Sequence, residues 1–188
     1  TTHAIHQDKG NLTIDGDVDI DITGQRHTVG VYSHAGSTTI NGNVKVVLDG
    51  NHGGFAEYGA AGIYAHAGYG GAVGGTVNVN GNVDISGVGN GLFANIGGGT
   101  INVNGGKINI VDDNTDTGYS AIYSTCGAIN VNTVKDEKGN VIGAGNNKVD
   151  ITGNVVVSVG AVNYVDCYEY SLVNLGLTTK DSQLTGVI

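Results

Sequence analysis

The sequence predicts an all-β chain, wound as a parallel, right-handed β-helix solenoid of about five to six rungs with loop insertions. Three observations carry this prediction. Two short phrases return along the chain, apolar and polar residues alternate within them, and proline is absent from 188 residues of which 34 are glycine. In a β-helix nearly every strand N–H bonds to the next rung, so a proline would break a ladder bond.

The first phrase reads Thr-Ile-Asp-Gly-Asp-Val at 13–18 and Thr-Ile-Asn-Gly-Asn-Val at 39–44. It returns as Asn-Val-Asn-Gly-Asn-Val at 78–83, Asn-Val-Asn-Gly-Gly at 102–106 and Asp-Ile-Thr-Gly-Asn-Val at 150–155. Its lead aliphatics are Ile14, Ile40, Val79, Val103 and Ile151, separated by 26, 39, 24 and 48 residues. The second phrase reads Gly-Val-Tyr-Ser-His-Ala-Gly at 30–36 and Gly-Ile-Tyr-Ala-His-Ala-Gly at 62–68, with weaker copies at 91–97 and 121–127. Its aromatic falls at Tyr32, Tyr64, Phe93 and Tyr123, and 172–176 reads as a degraded fifth copy. A unit of about 25–30 residues suits a solenoid, whereas a propeller blade needs about 40–45.

Within the units the period is two. Ile14, Gly16, Val18, Ile20 and Ile22 share one parity and Asp15, Asp17, Asp19 and Asp21 the other, which places the first set inside and the second in water. Val44 and Val46, Val83 and Ile85, and Val155, Val157 and Val159 are expected inside by the same rule. No stretch holds a 3.6-residue period over ten residues, so no helix is expected. Asp15, Asn41, Asn80, Asn104 and Thr152 each precede a glycine, the chemistry of a corner. Stacked corners would set asparagine over asparagine as an amide ladder.

Three segments interrupt the units and are expected to project: the glycine-rich 51–61, the acidic 112–120, and 133–147, which reads as a hairpin bending at Lys138-Gly139-Asn140. Thr1 to Lys9, with His3 and His6, is expected to form a partial rung or cap, and Leu177 to Ile188 to start a further rung. Residues 1–188 thus read as one β-helix segment. Methionine is absent, so the chain reads as a processed product or a piece of a longer protein.

Composition removes several classes. Eight basic against 17 acidic residues give a net charge of −9, without the basic footprint that nucleic acid or an anionic membrane requires. With 39% hydrophobic and 13% charged residues the chain is not disordered. Two cysteines make no disulfide scaffold. Cys126 is expected to be a small buried residue, and a bridge to Cys167 stays open.

The repeat Gly-Gly-Thr-Val-Asn-Val-Asn-Gly-Asn-Val at 74–83, together with Gly-Ile-Tyr-Ala at 62–65 and its cognates, resembles the passenger regions of bacterial autotransporter adhesins over residues 10–176. The resemblance implies secretion through an outer-membrane barrel that this sequence lacks, and display at the cell surface. Membrane contact would then come only through that barrel.

Candidate contact residues follow from the columns. Tyr32, Tyr64, Phe93 and Tyr123 are expected to point outward as a stripe of rings, a platform for a sugar face or a protein; rings stacked only to stabilise the rod are the plainer reading. His34 and His66 hold equivalent positions, and a solvated turn is preferred there to a shared metal. Asp112, Asn114 and Asp116 place oxygen atoms at alternate positions as calcium loops do, although the glycine arrives one place late and no glutamate follows. A solvated acidic loop is the default there, and apart from that calcium no cofactor is expected. The single arginine, Arg26, scattered lysines and absence of tryptophan argue against a pectin-lyase type of site, and fold alone does not make an enzyme. The expected function is a non-enzymatic surface module for attachment, aggregation or biofilm formation, with a surface protein, a glycan or a second copy as partner. A carbohydrate-active β-helix enzyme and a structural spacer are the alternatives.

Overall fold

The computed structural model describes residues 2–24, 27–49, 60–66, 73–95, 98–110, 119–160, 171–177 and 181–188. Among them the chain is all-β, with fifteen strands and no helix. In chain order these are β1 (Thr2–Ile14), β2 (Val18–Thr23), β3 (Thr28–Ile40), β4 (Val44–Asp49), β5 (Ala61–Ala65), β6 (Thr76–Gly87), β7 (Asn90–Asn95) and β8 (Thr100–Ile110). They continue as β9 (Ser120–Thr125), β10 (Ala128–Val131), β11 (Thr133–Lys135), β12 (Val141–Ala144), β13 (Val149–Gly160), β14 (Leu172–Leu175) and β15 (Gln183–Val187). Thirteen form one sheet, while β11 and β12 pair antiparallel as a separate hairpin.

Every pairing in the large sheet is parallel, and the registers sort its strands into three stacks. In the first, Ile5, Val31, Ile63, Leu92, Ile122 and Val157 lie one over the next. In the second the column is Ile14, Ile40, Val79, Val103, Val131 and Leu175. The third stacks Ile20, Val46, Ile85, Ile108, Ile151 and Leu184. The long strands β1, β3, β6, β8 and β13 each serve two stacks. The inner members of these columns meet in one buried cluster, with Ile5, Ile14, Val157, Leu175 and Leu184 half-buried against it at the column ends. Each fully buried Val, Leu or Ile contributes about 1.5–3 kcal/mol. Strand β2 shows the cause most plainly: Val18, Ile20 and Ile22 are buried while Asp19 and Asp21 stand in water.

Three registers differ from the expectation. The segment 172–176, expected as a copy of the aromatic phrase, lies in the second stack with Asn174 over Asn130 and Leu175 over Val131. Ile151 stacks between Ile108 and Leu184 in the third column, and the residue that follows Val103 in the second column is Val131. The fifth copy of the first phrase is therefore Ala128-Ile129-Asn130-Val131-Asn132, which matches Thr100-Ile101-Asn102-Val103-Asn104. The hairpin insert accordingly interrupts the corner between the second and third stacks.

Inner parity also fails along β13. Val156 is wholly buried, Val155 and Val157 are half-buried, and Val159 is 52% exposed. Strands of the first stack enter with two successive core-facing residues, Gly30-Val31, Gly62-Ile63 and Gly91-Leu92. A Cβ on Gly62 would lie 2.5 Å from Ile85 Cγ2, and one on Gly30 would lie 2.8 Å from Val46 Cγ1. The registers place Val156 beside Ala121 in that same glycine column. There the sizes are exchanged, since a Cβ on Gly186 would lie 2.7 Å from Val156 Cγ2.

Gly42 and Gly81 act by space, whereas Gly16 has open space beside it and a φ of 148°. A Cβ on Gly42 would run into the Gly16 carbonyl, and one on Gly81 into the Gly42 carbonyl. Asp15, Asn41 and Asn80 are not among the residues with positive φ, so no left-handed residue precedes these glycines.

Candidate functional site

The registers bring the four predicted rings together. Their centroids lie 5.3 Å apart for Tyr32 and Tyr64, 4.6 Å for Tyr64 and Phe93, and 4.9 Å for Phe93 and Tyr123, the last two pairs nearly parallel. His6 heads the same column, 4.9 Å from Tyr32. The rings do not stand free in water. Phe93 is fully buried and Tyr64 is 8% exposed, because they pack with Val29 and Ala61 as a second apolar cluster against which Tyr32 and Tyr123 rest. Stacked rings of this kind contribute about 0.5–1.5 kcal/mol per pair beyond their burial. Only the half-buried Tyr32 and Tyr123 keep surface for a ligand.

Beside the rings, Asp8, His34 and His66 follow one another in register. His34 Nδ1 lies 2.8 Å from Asp8 Oδ1, so it donates to the carboxylate, and that hydrogen bond lowers the Asp8 pKa. The two imidazoles stack at 5.5 Å. His66 Nδ1 is buried without a hydrogen-bond partner, and burial, followed by the nearby His34, lowers its pKa to about 4. His3, stacked on Tyr32 at 4.3 Å, is likewise lowered to about 4 by burial and then by His6. Burial, aided by the Asp8 charge, raises Tyr32. Among the described residues no group of three or more His, Cys, Asp or Glu side chains is placed to hold a metal ion.

Asparagine rows run across the stacks. In one, Asn102 Nδ2 donates to Asn78 Oδ1 at 2.8 Å, Asn130 to Asn102 at 2.9 Å, and Asn174 to Asn130 at 2.8 Å. In the other, Asn41 Nδ2 donates to Asp15 and Asn80 Nδ2 to Asn41, both at 2.6 Å, while Asn104 turns to the Asn80 carbonyl at 3.0 Å. The corner row is thus a side-chain ladder from Asp15 to Asn80, with Asn104 bonded to backbone, and Thr152 stands elsewhere, opposite Asn109.

The 133–147 insert is the predicted hairpin. At its tip Asp136 Oδ1 accepts the N–H groups of Lys138 and Asn140 at 2.9 and 2.8 Å, and Asn140 Nδ2 donates to Asp136 Oδ2. These bonds, led by those from Asn140, lower the Asp136 pKa, and Gly139 takes a φ of 84°. At its base Asn132, fully buried at a φ of 51°, bonds to Asn147. Asn132 and Lys135 escaped the sequence reading, although the alignment of 128–132 with 100–104 marks Asn132 as a corner residue.

The candidate calcium residues Asp112, Asn114 and Asp116 lie outside the described residues, as does 51–59 of the first predicted loop. Its last residue, Ala61, opens β5, and Tyr119 and Ser120, the last two residues of the predicted acidic loop, are buried, with Ser120 opening β9. Cys126 is buried and disulfide-bonded, at a φ of 64°; Cys167 lies outside the described residues. No protein-family model, curated protein or solved structure was found to match this chain.

Proposed function

We propose that the chain is a segment of a right-handed parallel β-helix of six turns, and that it serves as a non-enzymatic adhesin module at the bacterial cell surface. The supporting observation is the in-register stacking of three aliphatic columns over six strand levels, with a hairpin that belongs to none of them. Parallel crossovers are right-handed almost without exception. Six levels at about 4.8 Å make a rod roughly 25–30 Å long. The hairpin carries the exposed aliphatics Val134, Val141 and Ile142, the last 65% exposed, and exposed apolar groups on a projecting element are contact surface. Export through an outer-membrane barrel, display on the cell and a role in attachment, aggregation or biofilm formation follow from the resemblance to autotransporter passengers.

The test is display of the chain on a non-adherent bacterium, with Val134, Val141 and Ile142 each changed to Ser in the variant. Attachment or aggregation conferred by the wild type and lost in a variant of unchanged circular dichroism supports the module. Wild-type display that confers neither leaves only a spacer. Polysaccharide cleavage by the purified chain would make it an enzyme.

A further inference from the structure

At the foot of the hairpin, where β11 rises beside the second stack, lies a cleft of about 530 Å3, within the ~300–1,000 Å3 of ligand sites. Its walls include Asn78, Asn80, Asn102 and Asn104 on one side and Thr133 and Lys135 on the other. We infer that this cleft binds an acidic saccharide, with a uronate carboxylate on Lys135 and sugar hydroxyls on the Asn80 and Asn104 amides. This deepens the reading of the chain as a binding module and rests on it.

The cation comes first. Lys45 and Lys148 meet carboxylates of Asp19 and Asp150 at 3.3 and 3.4 Å. Lys135 has no carboxylate partner among the described residues. Its Nζ instead donates to Asn102 Oδ1 at 2.8 Å, which holds the ammonium over the asparagine row with two N–H groups left to give. An ammonium so placed calls for one anionic group. A chain of net charge −9 offers no broad field for a polyanion, so recognition of the anion is local.

The amides supply the rest. Asn102 spends both lone pairs, on Asn130 and Lys135. In the neighbouring corner row, the exposed Asn80 and Asn104 each give one amide N–H, to Asn41 Oδ1 and to the Asn80 carbonyl, and each keeps a second N–H and its Oδ1 for a ligand. Groups that donate and accept side by side, repeated at the strand spacing of ~4.8 Å, suit hydroxyls, which do both. A carboxylate-rich peptide side chain only accepts. Among the described residues the cleft lining contains no aromatic ring, so these residues hold the sugar by hydrogen bonds and charge.

Calorimetric titration of the 188-residue chain, in EDTA, with tetragalacturonate, maltotetraose and tetraglutamate tests the assignment. Saturable binding of tetragalacturonate is expected. It should weaken about tenfold in Lys135→Met while the weaker binding of maltotetraose does not change. Asn104→Ala should weaken both sugars. Absence of tetragalacturonate binding, an unchanged affinity in Lys135→Met, or equal binding of tetraglutamate overturns the site. Adhesion by displayed wild-type chain without uronate binding overturns the saccharide site and leaves the module standing. Polysaccharide cleavage overturns the module itself.

Discussion

Asn132 and Asn147 clasp one another across the base of the hairpin: Asn132 Nδ2 donates to the Asn147 carbonyl at 2.7 Å, and the Asn147 N–H donates back to Asn132 Oδ1 at 3.1 Å. Asn132 Nδ2 also reaches the Gly176 carbonyl at 2.7 Å, so one buried amide ties the insert to the chain after β14. Replacing it with Ala leaves those backbone groups unpaired and puts a Cβ-bearing residue at φ 51° without the local bonding asparagine offers. Asn132→Ala should lose about 2–4 kcal/mol in urea unfolding. Asn132→Gly should recover about 1 kcal/mol of that. An Ala variant as stable as the wild type would mean the clasp contributes nothing.

The ring column predicts a separation of stability from binding. Phe93 is wholly buried between Tyr64 and Tyr123, so no ligand reaches it. Phe93→Ala should cost about 3–5 kcal/mol. Phe93→Leu should fold and leave adhesion unchanged. Adhesion lost in a stably folded Phe93→Leu chain would return the rings to the contact surface.

Acid should loosen the same end of the molecule. His66 and His3 hold pKa values of about 4 in the fold against about 6.5 unfolded. Between those values the unfolded chain binds protons the folded chain refuses, so stability falls as pH drops from about 6.5 to about 4 and is flat above that window. The lowered Asp8 acts in the same direction at lower pH, its contribution being lost as pH falls through its folded value. Discounted for partial solvent contact, each histidine is worth on the order of 1 kcal/mol. Urea midpoints at about pH 4.5 and pH 7.5 should differ less in His66→Phe than in the wild type. An equal difference would show that His66 does not drive the loss.

How far the sequence could be read depended on whether a residue acted within its own strand. Val18, Ile20 and Ile22 alternate with aspartates, and that alternation alone sorted them correctly. The Asp15, Asn41 and Asn80 ladder was legible for the same reason, since one corner repeats. Ile151 was misplaced because Gly153-Asn154-Val155 imitates the corner phrase, whereas β13 runs on from the third stack into the first. The burial of Phe93 comes from Val29 and Ala61, partners in a cluster that alternation does not reveal. The cleft at Lys135 needed a hairpin folded against a distant asparagine row, a contact between residues 33 apart that no local pattern encodes.

The exchange of sizes around the first stack is the sharpest test of the registers. Gly62 faces Ile85, and its Cβ would also lie 3.0 Å from the Gly91 carbonyl, so neither neighbour yields freely. Gly62→Ala should therefore cost about 1–3 kcal/mol by overpacking. Gly143 in the hairpin has nothing within 4 Å of its would-be Cβ and is not among the glycines at positive φ, so Gly143→Ala should stay within about 0.5 kcal/mol. At the far end of the glycine column Val156 fills the space that Gly186 leaves. Val156→Ala should cost about 1–3 kcal/mol, while Val159→Ala, half in water, should be nearly neutral. Simple alternation from Val155 demands the reverse order for these two valines. If chemical unfolding finds Val159→Ala the more damaging, β13 does not turn its corner where the register places it, and the first stack loses its last level.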